Sequence, residues 1–161
     1  MRLYLMRHAK AASEEGAPDH ERPLTEQGVA DARTMGRWLR DHGGPPDVVW
    51  CSSALRARQT WSAVATELLS TPDTTEPSYL RSVYQAGPGD LVDLLRDVPP
   101  GVESLLILGH NPTMEQAIAG LTGEPRDFPT GAIAALDVTG TWSEPTSFEV
   151  AELATPKTER E

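Results

Sequence analysis

Basic side chains follow three apolar segments of the sequence. Arg7 and His8 come directly after the first segment. Arg56 comes shortly after the second segment, and His110 comes shortly after the third. The carboxyl ends of parallel strands meet at one edge of a sheet, and ligands of open α/β sheets bind there. If the three segments are neighbouring strands, two imidazoles and at least two guanidinium groups converge on one crevice.

Such a crevice suits a dianionic phosphoryl group. Guanidinium donates paired hydrogen bonds to oxygen atoms and keeps its charge at all working pH values. Neutral imidazole is a competent nucleophile, so His8 is predicted to become a transient phosphohistidine that water then hydrolyses. Arg7, the preceding residue, helps to keep this imidazole unprotonated and also holds the phosphate. His110 is predicted to donate hydrogen bonds to phosphate oxygens as an imidazolium.

The predicted site therefore consists of a few named residues. The catalytic set is His8, Arg7, Arg56 and His110, and the substrate-binding set is Arg7, Arg56, His110 and Arg22. Two further interpretations stay open at this point. Arg22 either reaches the pocket or pins its own loop to a neighbouring carboxylate. Tyr84 either lines the substrate entrance or packs within its loop.

Alternating strand and helix patterns surround these residues. Strands are predicted at 2–6, 47–51, 75–80, 104–108, 132–138 and 147–153. Helices are predicted from the cap Thr25 to Gly43, with Val29 on the apolar face, from Ser53 to about Leu69, after Asp90, and after Pro112. This order predicts an α/β fold, a three-layer α/β/α sandwich with a mainly parallel sheet. Residues 1–155 are predicted to form one domain, and 156–161 are predicted to form a frayed polar C-terminal tail.

Composition limits the classes of function. The formal net charge of -10 argues against a broad nucleic-acid surface. No apolar run approaches the roughly 20 residues that span a bilayer, so we expect no membrane association and a cytoplasmic location. The histidines have no partners at metal-ligand spacing, so we expect no metal and no other cofactor. We expect the chain to act as a monomer.

Other reactive side chains have simpler interpretations. A cysteine phosphatase needs five residues between its thiolate and its phosphate-binding arginine, and the position that this spacing reaches from Cys51 is Ala57. Cys51 is therefore interpreted as core at the end of a strand. Arg58 is interpreted as a solvated helix charge. His20 and His42 lie in polar contexts and are expected to be exposed.

Four sequence segments together resemble a known family. They are Met6–Ala9 (MRHA), Arg22–Gly28 (RPLTEQG), Ser52–Thr60 (SSALRARQT) and Gly109–Pro112 (GHNP). Their order and separations, from residue 1 to about 140, resemble the histidine phosphatase superfamily with its phosphoglycerate-mutase-like fold. The short length and the Arg22–Gly28 segment resemble its SixA-like branch, which removes phosphate from phosphohistidine in signalling proteins. The resemblance implies that His8 accepts the phosphoryl group and that the other three catalytic residues bind it.

The sequence departs from the family pattern at two places. Ala9 stands where the family usually has glycine. Because alanine has a Cβ atom, the backbone φ at this position must be negative. Larger relatives place a glutamate in the segment that corresponds to 79–85, where this chain has no carboxylate. Without that acid an alkoxide leaves poorly, whereas an imidazole needs less help. This favours phosphohistidine over sugar phosphates and argues against a mutase. Asp90 could serve as an acid, but an N-terminal helix role fits it better.

Two other functions are compatible with the same residues. The first is a phosphatase of small-molecule phosphate monoesters. The second is a non-catalytic module that binds phosphorylated partner proteins through the same pocket. The sequence does not identify the physiological substrate.

Overall fold

The computed structural model describes residues 1–13, 15–68 and 75–160. Within these ranges the strands are β1 (Arg2–Arg7), β2 (Val48–Ser52), β3 (Pro77–Leu80), β4 (Ser104–Gly109), β5 (Ile133–Gly140) and β6 (Pro145–Ala154). The α-helices are α1 (Glu26–His42), α2 (Leu55–Leu68), α3 (Arg81–Tyr84), α4 (Pro88–Leu94), α5 (Thr113–Thr122) and α6 (Pro156–Arg160). Short 3-10 helices lie at Asp19–Glu21 and Leu95–Asp97. No helix in these ranges has the length and apolar character needed to cross a bilayer.

The strands form a six-stranded sheet in the order β3-β2-β4-β1-β5-β6. Strands β1 to β4 run parallel to one another, whereas β5 and β6 are antiparallel additions beside β1. The register pairs Arg7 with Gly109 and Cys51 with Leu108. The carboxyl ends of β1, β2 and β4 therefore lie side by side, as the sequence predicts.

Helices cover both faces of this sheet. One hydrophobic cluster joins residues of β1 and β4 to α1 and α2, and a second joins the alternate strand residues to α4 and α5. Strand β1, for example, contributes Tyr4 and Met6 to the first cluster and Leu3 and Leu5 to the second. Near-continuous apolar runs are typical of strands that are buried on both faces. The predicted three-layer α/β/α sandwich is confirmed.

The C-terminal residues differ from the sequence prediction. Residues 156–160 form α6, not a frayed tail. Thr155 Oγ1 accepts a hydrogen bond from the backbone N–H of Thr158 at 3.2 Å, which caps the turn. Arg160 forms an ion pair with Asp31 of α1. A polar composition predicted fraying, but one cap and one ion pair to a neighbouring helix are enough to order a single turn.

Details of two other helices also differ. Val29 is 41% exposed, although the sequence places it on the apolar face of α1. Successive helix residues lie about 100° apart, so Val29 sits at the edge of the stripe that contains Gly28, Ala32 and Met35. The predicted end of the second helix near Leu69 lies outside the described residues. The short helix α3 was not predicted, because four residues are too few to show a helical period.

The start of α1 packs against the loop that follows β1. Thr25 caps the helix by accepting a hydrogen bond from Gly28 N–H at 3.0 Å, and its own N–H donates to Lys10 O at 3.0 Å. A Cβ atom at Gly28 would lie 2.2 Å from that same carbonyl oxygen. Glycine is therefore required here by the close approach of the helix to the loop that holds His8.

We expect Gly28→Ala to lower the free energy of unfolding by about 1–3 kcal/mol, because the added methyl group must displace backbone atoms. Gly120→Ala is the matched control, since Gly120 also lies within a helix but has no atom within 4 Å of a built Cβ. That control is expected to raise stability by about 0.5–1 kcal/mol. Urea unfolding of both variants measures the difference. Equal stabilisation by the two substitutions would contradict the packing described.

Candidate active site

A shared hydroxyl group joins the loop after β1 to the first turns of α2. The backbone N–H of His8 donates to Gly109 O at 3.0 Å, which extends the pairing of β1 with β4 by one residue. The next N–H, that of Ala9, donates to Thr60 Oγ1 at 3.1 Å. Thr60 Oγ1 in turn donates to Arg56 O at 2.7 Å. Because Thr60 is fully buried, this link fixes His8 relative to Arg56 without competition from water.

Ala9 fits the position where the related family usually has glycine. Its side chain is fully buried, and none of the non-glycine residues described has a positive φ. The methyl group is therefore accommodated without left-handed backbone strain. Ala9 therefore meets the requirement for a backbone φ that is not positive at this position.

Two imidazole rings lie together at the strand ends. The ring centroids of His8 and His110 are 5.1 Å apart, with an angle of 53° between the ring planes. His8 Nδ1 lies 2.7 Å from Ala9 O. A carbonyl oxygen only accepts hydrogen bonds, so Nδ1 carries the proton of the neutral ring and Nε2 retains its lone pair. His110 Nε2 forms a 2.7 Å hydrogen bond with Ser52 Oγ.

Both predicted arginines are held by oxygen atoms of the protein, yet each keeps a donor without a partner. Arg7 Nη1 donates to Phe128 O at 3.1 Å. Arg56 donates from Nη1 to Asp19 O at 2.7 Å and from Nη2 to Asp19 Oδ2 at 3.0 Å. Among the residues described, three buried side-chain atoms form no hydrogen bond: Arg7 Nε, Arg56 Nε and His110 Nδ1. All three belong to the predicted catalytic set.

Asp19 is a site residue that the sequence reasoning missed. Its carboxylate accepts hydrogen bonds from Tyr84 Oη at 2.8 Å and from Arg22 Nε at 3.1 Å, in addition to Arg56. Arg22 Nη1 also donates to Ala12 O. Arg22 thus pins its loop to a carboxylate. Its positive charge also contributes to lowering the pKa of His8 and of His110, and its role in substrate binding stays a prediction. The only sequence signal was an aspartate three residues before this arginine.

Tyr84 and His20 form the wall beside Asp19. The Tyr84 ring packs edge-on against His20 at 4.7 Å and against His110 at 5.6 Å, measured between ring centroids. His20 Nε2 forms a 2.8 Å hydrogen bond with Ser53 Oγ, and the residue is half-buried. The prediction that His20 is exposed is wrong, because its apparently polar loop folds over the strand ends. Tyr84 lies at the site and not merely within its own loop.

The electrostatic setting keeps both site histidines neutral. Burial, together with the positive charges of Arg56 and Arg7, lowers the pKa of His8 to about 4. Burial, with the neighbouring His8 and Arg56, lowers the pKa of His110 to about 3. His110 is thus a neutral ring at pH 7 in this site. The predicted imidazolium form of His110 refers to the site with phosphate bound, and it stays a prediction.

The remaining candidates lie away from this chemistry. Cys51 is buried within β2, and burial raises the pKa of its thiol, so it is not a thiolate. This agrees with its interpretation as core. Arg58 is exposed, with its guanidinium 4.8 Å from the centroid of the Tyr79 ring, and His42 is exposed at the end of α1. In the described part of the chain, no group of three or more His, Cys, Asp or Glu side chains is arranged to hold a metal ion.

The chain has relatives among known proteins. The model of the histidine phosphatase superfamily (branch 1) matches residues 3–78. The chain is 36% identical over 140 residues to the phosphohistidine phosphatase SixA of Escherichia coli (strain K12), which covers 84% of each chain. It is also 36% identical over 150 residues to an uncharacterized protein of Mycobacterium tuberculosis (strain H37Rv), covering 86% of this chain and 90% of that one.

A solved structure has the same fold. The protein histidine phosphatase SixA complexed with tungstate superposes with a TM-score of 0.84 at 28% sequence identity. The superposition covers 98% of this chain and 99% of that chain. Likeness over almost the whole of both chains means that the sheet and its covering helices are shared.

We expect the His8 ring to stay neutral in the folded protein until the pH falls to about 4. Protonation of this buried ring among guanidinium groups is unfavourable, so its titration lies below the ordinary histidine value of about 6.5. NMR titration of the ring, assigned by comparison with His8→Gln, measures the midpoint. The same ring in the urea-unfolded protein is the control and should titrate near 6.5. A folded-state midpoint near the free value of about 6.5 would contradict the electrostatic setting described.

Proposed function

This chain belongs to the histidine phosphatase superfamily, in its SixA-like branch, and we propose that it is a phosphatase that hydrolyses phosphohistidine in a partner protein. One observation carries this proposal. In the part of the chain that the structure describes, three buried nitrogen atoms without partners belong to the residues around a neutral imidazole, His8. Buried polar groups are almost always hydrogen-bonded, so this arrangement favours an anion with several acceptor oxygens.

A phosphoryl group satisfies the unpartnered nitrogens. Its three non-bridging oxygens can accept from Arg7 Nε, Arg56 Nε and His110 Nδ1, which are the atoms without partners. The last of these is a donor in the tautomer in which Ser52 Oγ donates to Nε2 of the same ring. Donors fixed before the reaction stabilise charge on the equatorial oxygens as the phosphorus is transferred. Positioning and electrostatics then supply most of the catalysis.

His8 is suited to act as the nucleophile in this reaction. Its Nε2 lone pair forms a bond to phosphorus while the bond from phosphorus to the leaving nitrogen breaks, and the bonding electrons stay on that nitrogen. The product is a phosphohistidine on the enzyme, which water then hydrolyses to phosphate. Two guanidinium groups provide the charge that a metal ion provides in other phosphatases. We therefore propose a reaction that requires neither a metal nor an organic cofactor.

Among the residues described, no carboxyl group at the site holds a proton that the small-ester alternative could use. An alkoxide leaving group needs protonation, and segment 79–85 contributes no carboxylate. Asp19 lies nearby, but hydrogen bonds from Tyr84 and Arg56 lower the pKa of its carboxyl group to about 2. It is ionised at neutral pH and has no proton to give. This favours a substrate whose leaving group is an imidazole.

We also propose that the chain works as a monomer in the cytoplasm.

We expect His8→Ala to reduce turnover of a phosphohistidine peptide by about 10³-fold or more, because the covalent route is lost. The variant should also form no acid-labile phosphoenzyme when mixed with a phosphorus-labelled substrate. His42→Ala is the matched control, since His42 is an exposed histidine outside the site, and it should retain both properties. Rapid quench followed by phosphoenzyme detection, with steady-state kinetics, measures the two effects.

The same assay separates the proposed function from its alternatives. Retained turnover in His8→Ala would disprove nucleophilic catalysis by this residue. Sugar phosphates or phosphoserine turning over far faster than phosphohistidine would disprove the substrate class. Tight phosphate binding without any phosphoenzyme would favour the non-catalytic module. A chelator should leave wild-type activity unchanged if no metal takes part.

A further inference from the structure

Asp19 uses one edge of the Arg56 guanidinium and leaves another edge available. Nη1 and Nη2 both donate to Asp19, whereas Nε has no partner within the described ranges. A guanidinium group carries five N–H donors, so Nε and the second hydrogen of Nη2 can still bind a phosphoryl oxygen. Asp19 can therefore stay in place when substrate binds, and it then lies beside the phosphoryl group.

Asp19 lies at the solvent-exposed side of the site. His8 is buried, whereas Asp19 is exposed. Displacement at phosphorus is in line, so the leaving group lies on the side of phosphorus opposite the attacking nitrogen. A ring that belongs to another protein must also extend toward solvent. The leaving imidazole therefore comes to the side of the site where Asp19 and Tyr84 lie.

The Asp19 carboxylate has room for one more hydrogen bond. An ionised carboxylate offers about four lone-pair positions. Oδ2 accepts from Tyr84 and Arg56, and Oδ1 accepts from Arg22. The fourth position, on Oδ1, has no donor among the residues described. Since the group is ionised at neutral pH, it can accept a hydrogen bond from a substrate but cannot donate one.

We propose that Asp19 determines specificity for phosphohistidine by accepting a hydrogen bond from the ring nitrogen of the substrate that is not bonded to phosphorus. This inference rests on the proposed function. The substrate ring carries a proton on that nitrogen, so the bound leaving group is cationic. When the phosphorus–nitrogen bond breaks, its electron pair stays on the ring, which departs as neutral imidazole with its proton still in place. No proton donor is required at any point of this step.

Phosphate esters gain nothing from the same carboxylate. An alkyl ester needs a proton that the ionised Asp19 lacks. An aryl ester such as 4-nitrophenyl phosphate has a leaving group that develops negative charge, which the carboxylate repels. An ionised group at this position therefore favours a protonated ring and disfavours both kinds of ester.

The test compares two substrates in Asp19→Asn. We expect kcat/KM for a phosphohistidine peptide to fall by about tenfold or more, the effect of losing one charge-assisted hydrogen bond. For 4-nitrophenyl phosphate we expect kcat/KM to stay the same or to rise. The ratio of the two values is the informative quantity, because any disturbance of Arg56 affects both substrates through the shared phosphoryl group.

Glu21→Gln is the matched control. Glu21 belongs to the same 3-10 helix and is exposed, so this variant removes the same charge nearby and should leave the ratio unchanged. If Asp19→Asn leaves the ratio of the two kcat/KM values unchanged, for example because both values fall equally, the specificity role is overturned while the proposed function stands. Absence of phosphohistidine turnover in the wild-type protein, with 4-nitrophenyl phosphate turned over, overturns the proposed function and this inference together.

Discussion

The site depends on keeping an imidazole neutral beside the guanidinium groups of buried Arg56 and half-buried Arg7. Burial alone disfavours a charged ring, and the adjacent cations add to that effect for His8. The same burial leaves nitrogen atoms of Arg7, Arg56 and His110 without hydrogen-bond partners among the described residues, which lowers stability in the absence of an anion. A bound phosphoryl group would relieve this cost, and it would do so at the place where a nucleophilic lone pair is available.

Strand register and a few short contacts hold these groups together. Pairing of β1 with β4 places Arg7 opposite Gly109, so the nucleophile candidate and the second histidine follow neighbouring strand ends. Thr60 then joins the backbone of Ala9 to that of Arg56. In a protein of net charge -10, these links gather the cations locally, and the carboxylate of Asp19 partly offsets their repulsion.

The sequence predicted those parts of the molecule that leave a regular signal. Apolar runs predicted the strands. The basic residues after these runs predicted the four members of the catalytic set, which the structure brings together. Asp19 and His20 gave no such signal, because loop residues follow no period and their contacts come from distant segments. The neutral state of His110 could not be predicted from the sequence either, because its pKa depends on burial that only the fold determines.

The central claim is that a neutral His8 attacks phosphorus while nearby nitrogen atoms without partners bind the phosphoryl oxygens. The most direct test is the structure of the protein with orthovanadate, which mimics the phosphoryl group during transfer. We expect vanadium to be bonded to His8 Nε2, with its equatorial oxygens within hydrogen-bond distance of Arg7 Nε, Arg56 Nε and His110 Nδ1. Vanadate bound elsewhere, or bound at this site with His8 turned away and the three nitrogens still without partners, would contradict the proposed chemistry.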